Sequence, residues 1–276
     1  MEKNSLTVTQ SNILTNASYR FSLNEQRVML MVLAQIDSMK KEYTKKDSFK
    51  ITAKEYSQIF GVHPKTAYRD LKDVGDKLFE RKLTFPLPGK GRYVKTRWVY
   101  EVEYNENVGA ITLTLAPRML PLLTQLSEKF TSYQLMHTVK FKSAYTHRLY
   151  QLLTQWKSVG SVTIPLDGLK QRFELTDYYD EYKRLKEKII KPSIEEINKY
   201  SNLKVSMKEI KEGRSVVAIT LSFKEKAAKK SSTIHRSQPK QSFKESTEVE
   251  SKLNNLEINS ALNNILKNIT TPITIN

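Results

Sequence analysis

The chemistry-bearing side chains that cluster in this sequence are cations. Between Lys183 and Lys191 stand Lys183, Arg184, Lys186, Lys188 and Lys191, interrupted by one acid, Glu187. Ammonium and guanidinium groups at this density suit phosphates, which position a protein on a polyanion without reading its sequence. Arginine can also chelate a guanine edge, and a carboxylate can accept from a cytosine amino group. Arg184 is therefore the expected base reader and Glu187, one helical turn on, a second specificity contact. Lys188 and Lys191, with Lys95, Lys211 and Arg214 elsewhere in the chain, are expected at phosphates, and Lys183 belongs to the same DNA-facing stripe. An earlier set repeats the theme in Lys65, Arg69 and Lys72, with Thr66 and Tyr68 as backbone contacts, and a third contains Lys90, Arg92 and Lys95. The bland alternative for each set is an ordinary solvated face or polar loop.

Nucleophilic and metal chemistry find less support. Fourteen tyrosines invite comparison with enzymes that cleave DNA through a tyrosine, but His63, His137, His147 and His235 are dispersed and form no His-x-His pair. No P-loop, GxSxG or zincin pattern occurs. With no cysteine, disulfides and cysteine metal sites are excluded. A binding protein without catalysis, metal or cofactor is expected.

The cations need rigid elements behind them. In the stretch from Tyr178 to Tyr200, Tyr178, Tyr182, Leu185 and Ile189 recur in steps of four, three and four, marking one apolar helical face. The opposite face carries Lys183, Arg184, Glu187 and Lys191. A shorter apolar-periodic segment ends near Leu175, and Thr176-Asp177 supplies turn chemistry, which outlines a helix-turn-helix. Pro192 predicts either a kink, with Ile194 and Ile197 in the core, or a new segment starting on proline.

The first half shows the same order. After a polar lead, Asn24 is a plausible N-cap for a helix with Val28, Leu30, Met31, Leu33 and Ile36 inward. Phe49 to Thr52 is a strand candidate, Ala53 to Phe60 a short helix, and Gly61 to Pro64 a turn. A long helix then runs from Lys65 to about Leu83, with Ala67, Leu71, Val74 and Leu78 inward. Asp73 and Asp76 would repel phosphate, so its N-terminal half is the part expected to approach. The hairpin tip PGKGRYVKTR follows as a basic wing, then strands at Trp98 to Tyr104 and Ala110 to Leu115. A short helix at Pro117 to Leu126, a strand at Phe130 to Leu135 and a helix at Ser143 to Trp156 lead into the second half.

At a displacement of 113 residues, Ser48-Phe49-Lys50-Ile51 meets Ser161-Val162-Thr163-Ile164, Phe60 meets Phe173 and Val62 meets Leu175. Strands at Leu203 to Ile210 and Ser215 to Phe223, joined by Lys211-Glu212-Gly213-Arg214, complete the second copy. The order of elements argues for duplication more strongly than the identities do. The fold class is α+β: two tandem winged-helix domains, 14–126 and 127–226, with a flexible tail at 227–276. Two such modules can occupy successive major grooves about 34 Å apart.

Composition agrees. The 276 residues suffice for two domains, and the formal charge is +17. Up to Lys226 there are 39 basic and 25 acidic residues, so the charge belongs to the folded part. A basic folded protein implies a polyanionic partner, here double-stranded DNA. No stretch approaches a membrane span and the N-terminus lacks a signal-peptide design, which fits the cytoplasm.

Three stretches resemble the iteron-binding plasmid replication initiators. They are Asn16 to Arg27 (NASYRFSLNEQR), Ala144 to Leu153 (AYTHRLYQLL), and Tyr182 to Ile197 with Lys191-Pro192 and Glu195-Glu196-Ile197-Asn198. The likeness covers about residues 14 to 226. It implies binding of short direct repeats at an origin, help in opening it, and recruitment of host replication proteins such as the initiator and helicase. It also implies a monomer–dimer equilibrium in which dimers repress their own promoter. The competing reading is a winged-helix transcription regulator without a replication role. In the tail, Lys226 to Glu245 is expected to be disordered. Ile258, Leu262, Ile265 and Ile269 recur at helical spacing, suited to docking on this chain or on a partner.

Overall fold

The computed structural model describes residues 6–37, 47–87, 91–124, 129–175 and 181–227. Expectations for the tail, Lys90, Thr176-Asp177 and Tyr178 therefore lie outside the described residues. Within them, the duplication is visible element by element. Strand β2 (Ser48–Thr52), helix α3 (Ala53–Phe60) and helix α4 (Pro64–Glu80) open one module. Strand β8 (Ser161–Pro165) and helix α6 (Leu166–Phe173) open the other at the same 113-residue displacement. It is followed by the expected reading helix, made of α7 (Tyr182–Leu185), a π turn (Lys186–Ile190) and α8 (Lys191–Tyr200).

Each module closes with a three-stranded antiparallel sheet of matching order. The first is β2-β6-β5, from β5 (Val99–Asn105) and β6 (Ala110–Leu115). The second is β8-β10-β9, from β9 (Leu203–Glu212) and β10 (Ser215–Glu225). Alternation puts Phe49, Ile51, Ile111 and Leu113 inward in one, and Ile164, Ile219, Leu221 and Val205 inward in the other, all buried. Helices α2 (Leu23–Gln35) and α5 (Ala144–Gln155) back the modules, α5 packing against α8.

Local chemistry explains the boundaries. The N-cap of α2 is Ser22 and not Asn24, because Ser22 Oγ accepts from the Glu25 N–H while the Glu25 carboxylate accepts from the Ser22 N–H. Thr52 and Glu55 form the same reciprocal cap on α3. Gly61 ends α3 at φ +64°, and Glu174, at the corresponding place after α6, adopts φ +47°. Gly75 lets α4 lie close to β5, since a Cβ there would meet the Tyr104 ring and Val102 at 3.1 Å.

Three features differ from the sequence pattern. The polar lead contains strand β1 (Thr7–Ser11) and helix α1 (Asn12–Asn16), and β1 pairs with β7 (Phe130–Gln134). Pro117 to Thr124 holds a short 3₁₀ turn at Leu120–Leu122 instead of a helix. The basic hairpin of β3 (Lys82–Pro86) and β4 (Tyr93–Arg97) is a separate two-stranded sheet. The wing of the first module is the β5–β6 hairpin, whose tip carries Glu106.

Candidate nucleic-acid interface

The reading helix of the second module presents Lys183, Arg184, Glu187, Lys188 and Lys191 as one exposed stripe, while Leu185, Ile189, Ile190, Ser193 and Ile197 are buried behind it. The π turn makes this possible. From Leu185 to Ile197 is twelve residues, and an unbroken α-helix would rotate the two about 120° apart. One turn that closes through the Lys191 N–H to the Lys186 carbonyl holds an extra residue and absorbs most of that offset. The widened turn also lies just before Pro192, which lacks the N–H that an α turn would require. Backbone angles stay helical at Leu185, Ile190 and Lys191, so the chain runs on as helix into α8, which has Pro192 in its first turn.

The fifth cation of the stretch points elsewhere. Lys186 Nζ donates to Glu209 Oε1 at 2.7 Å, and Tyr182 Oη donates to the same oxygen at 2.7 Å. Glu209 is on β9, so this triad ties the reading helix to its wing; the Lys186 ammonium holds the Glu209 carboxyl below its usual range. Exposed Lys211 and Arg214 stand at the β9–β10 turn. The helical stripe is thus flanked by a basic wing, the two-part geometry that lets a helix enter a major groove while a hairpin meets the backbone.

The first module is arranged alike but charged differently. Lys65 and Arg69 are exposed on the N-terminal half of α4. Lys72 Nζ reaches Glu106 Oε1 of the wing at 3.0 Å, the same pairing of a helix lysine with a wing acid. Thr66 Oγ1 donates to the His63 carbonyl at 3.0 Å within the start of α4. The Tyr68 hydroxyl is buried and turned from the surface, so Tyr68 packs where a backbone contact was anticipated. Asp73 pairs with Lys77 at 2.6 Å, and Asp76 accepts from Tyr104 Oη. The C-terminal half of α4 is an acidic surface. Arg92 and Lys95 are exposed on the β3–β4 hairpin, which is set apart from both wings.

The described histidines hold structure. His63 Nδ1 accepts from the Lys65 N–H as the N-cap of α4, His137 Nδ1 lies 3.2 Å from Tyr150 Oη, and His147 is buried edge-on to Phe141. Among the described residues no group of three or more His, Asp or Glu is placed to hold a metal ion.

Sequence reasoning missed the seam between the modules. Arg148 of α5, 5% exposed, donates through Nη2 to the Ala17 carbonyl at 2.7 Å and to the Arg172 carbonyl at 3.2 Å. Its guanidinium carbon sits 3.7 Å from the Tyr19 ring centre. Ser18 Oγ donates to the Gln171 carbonyl at 2.7 Å, and Asn16 Nδ2 to Gln155 Oε1 at 3.1 Å. Part of the signal was present, since Asn16 to Tyr19 and Arg148 fall in the first two of the patterned stretches, but nothing local says that the stretches touch.

Comparison with known proteins agrees with this architecture. A family model described as "Initiator Replication protein, WH1" matches residues 7–154, and one described as "Initiator Rep protein, WH2" matches residues 165–223. A "Replication initiation protein" of Escherichia coli is 27% identical over 206 residues; the match covers 72% of this chain and 64% of that relative. The "PI protein" of Escherichia coli is 25% identical over 252 residues, covering 78% and 82%. A crystal structure of the Pi initiator protein in complex with iteron DNA superposes with a TM-score of 0.68 at 23% identity, over 83% of this chain and all of that one, and shows the shared fold.

Proposed function

This chain belongs to the initiator replication protein family, and on that premise we propose that it is a plasmid replication initiator that binds double-stranded DNA at short direct repeats through both winged helices. The observation that carries the reading is the exposed stripe of Lys183, Arg184, Glu187, Lys188 and Lys191 beside the basic wing of Lys211 and Arg214. Lys65 and Arg69 on α4 form the second grip. The Pi relative, whose solved complex contains iteron DNA, supports the choice of repeats as the target. In this reading the modules 14–126 and 127–226 grip one duplex, the protein acts by binding and not by a covalent step, and its place of action is the cytoplasm, where plasmids reside. Origin opening, recruitment of the host initiator and helicase, and repression of its own promoter by a dimer complete the role.

The test is selection of bound sequences from a random duplex pool, followed by footprinting. The selected sequence should occur as tandem direct repeats near the coding gene, and a plasmid carrying the gene with those repeats should replicate. A single inverted-repeat site with no replication would assign the protein to transcriptional regulation instead. Nicking of supercoiled repeat DNA in the presence of a divalent metal would overturn the non-enzymatic part.

A further inference from the structure

Two of the contacts at the seam meet at one place, the end of α6, which precedes the second reading helix. Ser18 Oγ donates to the Gln171 carbonyl and Arg148 Nη2 to the Arg172 carbonyl, both in the last turn of α6. Ser18, and the Ala17 carbonyl and Tyr19 ring that Arg148 also meets, lie in segment 17–19, which is fixed to the first module. Ser18 exchanges backbone hydrogen bonds with Thr84 of β3 at 3.1 and 3.2 Å, and Tyr19 packs against Trp98 with ring centres 4.8 Å apart. One guanidinium and one hydroxyl thus connect the frame of the first module to the helix-turn-helix of the second.

The energetics of Arg148 point to geometry over stability. It has no carboxylate partner among the described residues, and its Nε and Nη1 are buried without hydrogen bonds. Removing a guanidinium from water without a counter-charge is costly, and an apolar side chain of similar volume commonly serves stability as well or better. What an apolar residue cannot do is bind two carbonyls from two different modules at once.

We infer that Arg148 and Ser18 are positioning residues that set the spacing between the two DNA half-sites this chain accepts. The inference rests on the reading that both modules grip one duplex. Inserting one base pair between half-sites moves the second by about 3.4 Å and turns it by roughly 35°. A fixed seam cannot follow that displacement, whereas a loosened one can.

The experiment uses the full chain and a duplex selected with it, with zero, one or two base pairs inserted between the two footprinted half-sites. The wild type should prefer its own spacing over the two-base-pair insertion by about 10-fold or more, the effect of losing the second grip. Arg148→Met should weaken binding to the original duplex while leaving the inserted one nearly unchanged, so the preference falls to about 3-fold or less. Arg148→Lys, which keeps a donor, should restore part of it. Should Arg148→Met fail to fold, the double change Asn16→Ala and Ser18→Ala, confined to the rim of the seam, decides the matter by the same ratio. A wild-type ratio retained by the folded variants, or a uniform loss at every spacing, overturns the inference and leaves the two-grip reading intact. A wild-type footprint on one half-site alone overturns both.

Discussion

Arg184 and Lys191 share one exposed face of the reading helix, yet their chemistry suits them to different work. Arg184, near the start of the stripe, has the planar fork that matches two acceptors on guanine. Arg184→Ala should cost about 1–3 kcal/mol at the selected site and relax preference at one base pair. Equal weakening on selected and scrambled duplexes in a binding titration would remove it from the base readers. A second residue-scale prediction concerns His147, which burial pushes down to about 3. The unfolded chain takes up a proton below about 6.5 where the folded chain does not, so unfolding binds protons and stability falls as pH drops from there toward 3. Between pH 6.5 and 4.5 that loss approaches roughly 2–3 kcal/mol. His147→Leu removes two buried ring nitrogens that lack hydrogen bonds and should flatten this acid slope in urea melts at pH 7 and 4.5. Parallel losses in the two proteins would refute it. Of the residue-level expectations, the outward stripe was legible because it is a periodicity. The inward turn of Tyr68 and the capture of Lys186 by Glu209 were not, because both depend on strands that approach from elsewhere in the chain.

At the scale of elements, the paired helix-turn-helix units illustrate both what periodicity reveals and where it stops. The boundaries of α3 matched the pattern because the Thr52–Glu55 cap and Gly61 are local signals. The wing did not, because two basic and polar hairpins follow α4, and only strand pairing decides which one joins β2. Pro192 predicts a kink or a new segment starting on proline, and the chain places it in the first turn of α8 directly after a π turn, which keeps Ile197 in the core with Leu185. The corresponding turns of the two modules yield a prediction. Gly61 is left-handed with open space around its Cβ position, so Gly61→Ala meets backbone strain and nothing else. That strain is about 1–2 kcal/mol, offset by the 0.4–1 kcal/mol that alanine contributes by restricting the unfolded chain. A net loss of about 1 kcal/mol in denaturant melts is expected, with DNA affinity at the selected site unchanged below the transition. No loss of stability would mean that α3 ends differently from the geometry seen here.

For the whole molecule, the question is how a formal +17 is spent, since net charge alone attracts any polyanion. The structure divides the cations by partner. Lys77, Lys72, Lys186 and Arg69 face Asp73, Glu106, Glu209 and Asp70, while Lys65, Lys183, Lys188, Lys191, Lys211 and Arg214 stand on the two reading helices and the second wing. The seam that orients these surfaces joins residues 153 positions apart, beyond what local pattern can report. If the six outward cations each neutralise one phosphate, log affinity should fall against log salt with a slope of about −5. Affinity would then drop about 10³-fold between 50 and 200 mM salt. Lys191→Ala should weaken binding to selected and scrambled duplexes alike and make the slope shallower by about 0.9. Lys77→Ala removes the same formal charge from the acidic half of α4 and should leave the slope as it was. Were the two variants to shift the slope equally, the salt dependence would come from the diffuse field of the protein and not from phosphates held at the stripe. The assignment of Lys191 to the backbone would then fail, whereas base reading by Arg184 would be untouched.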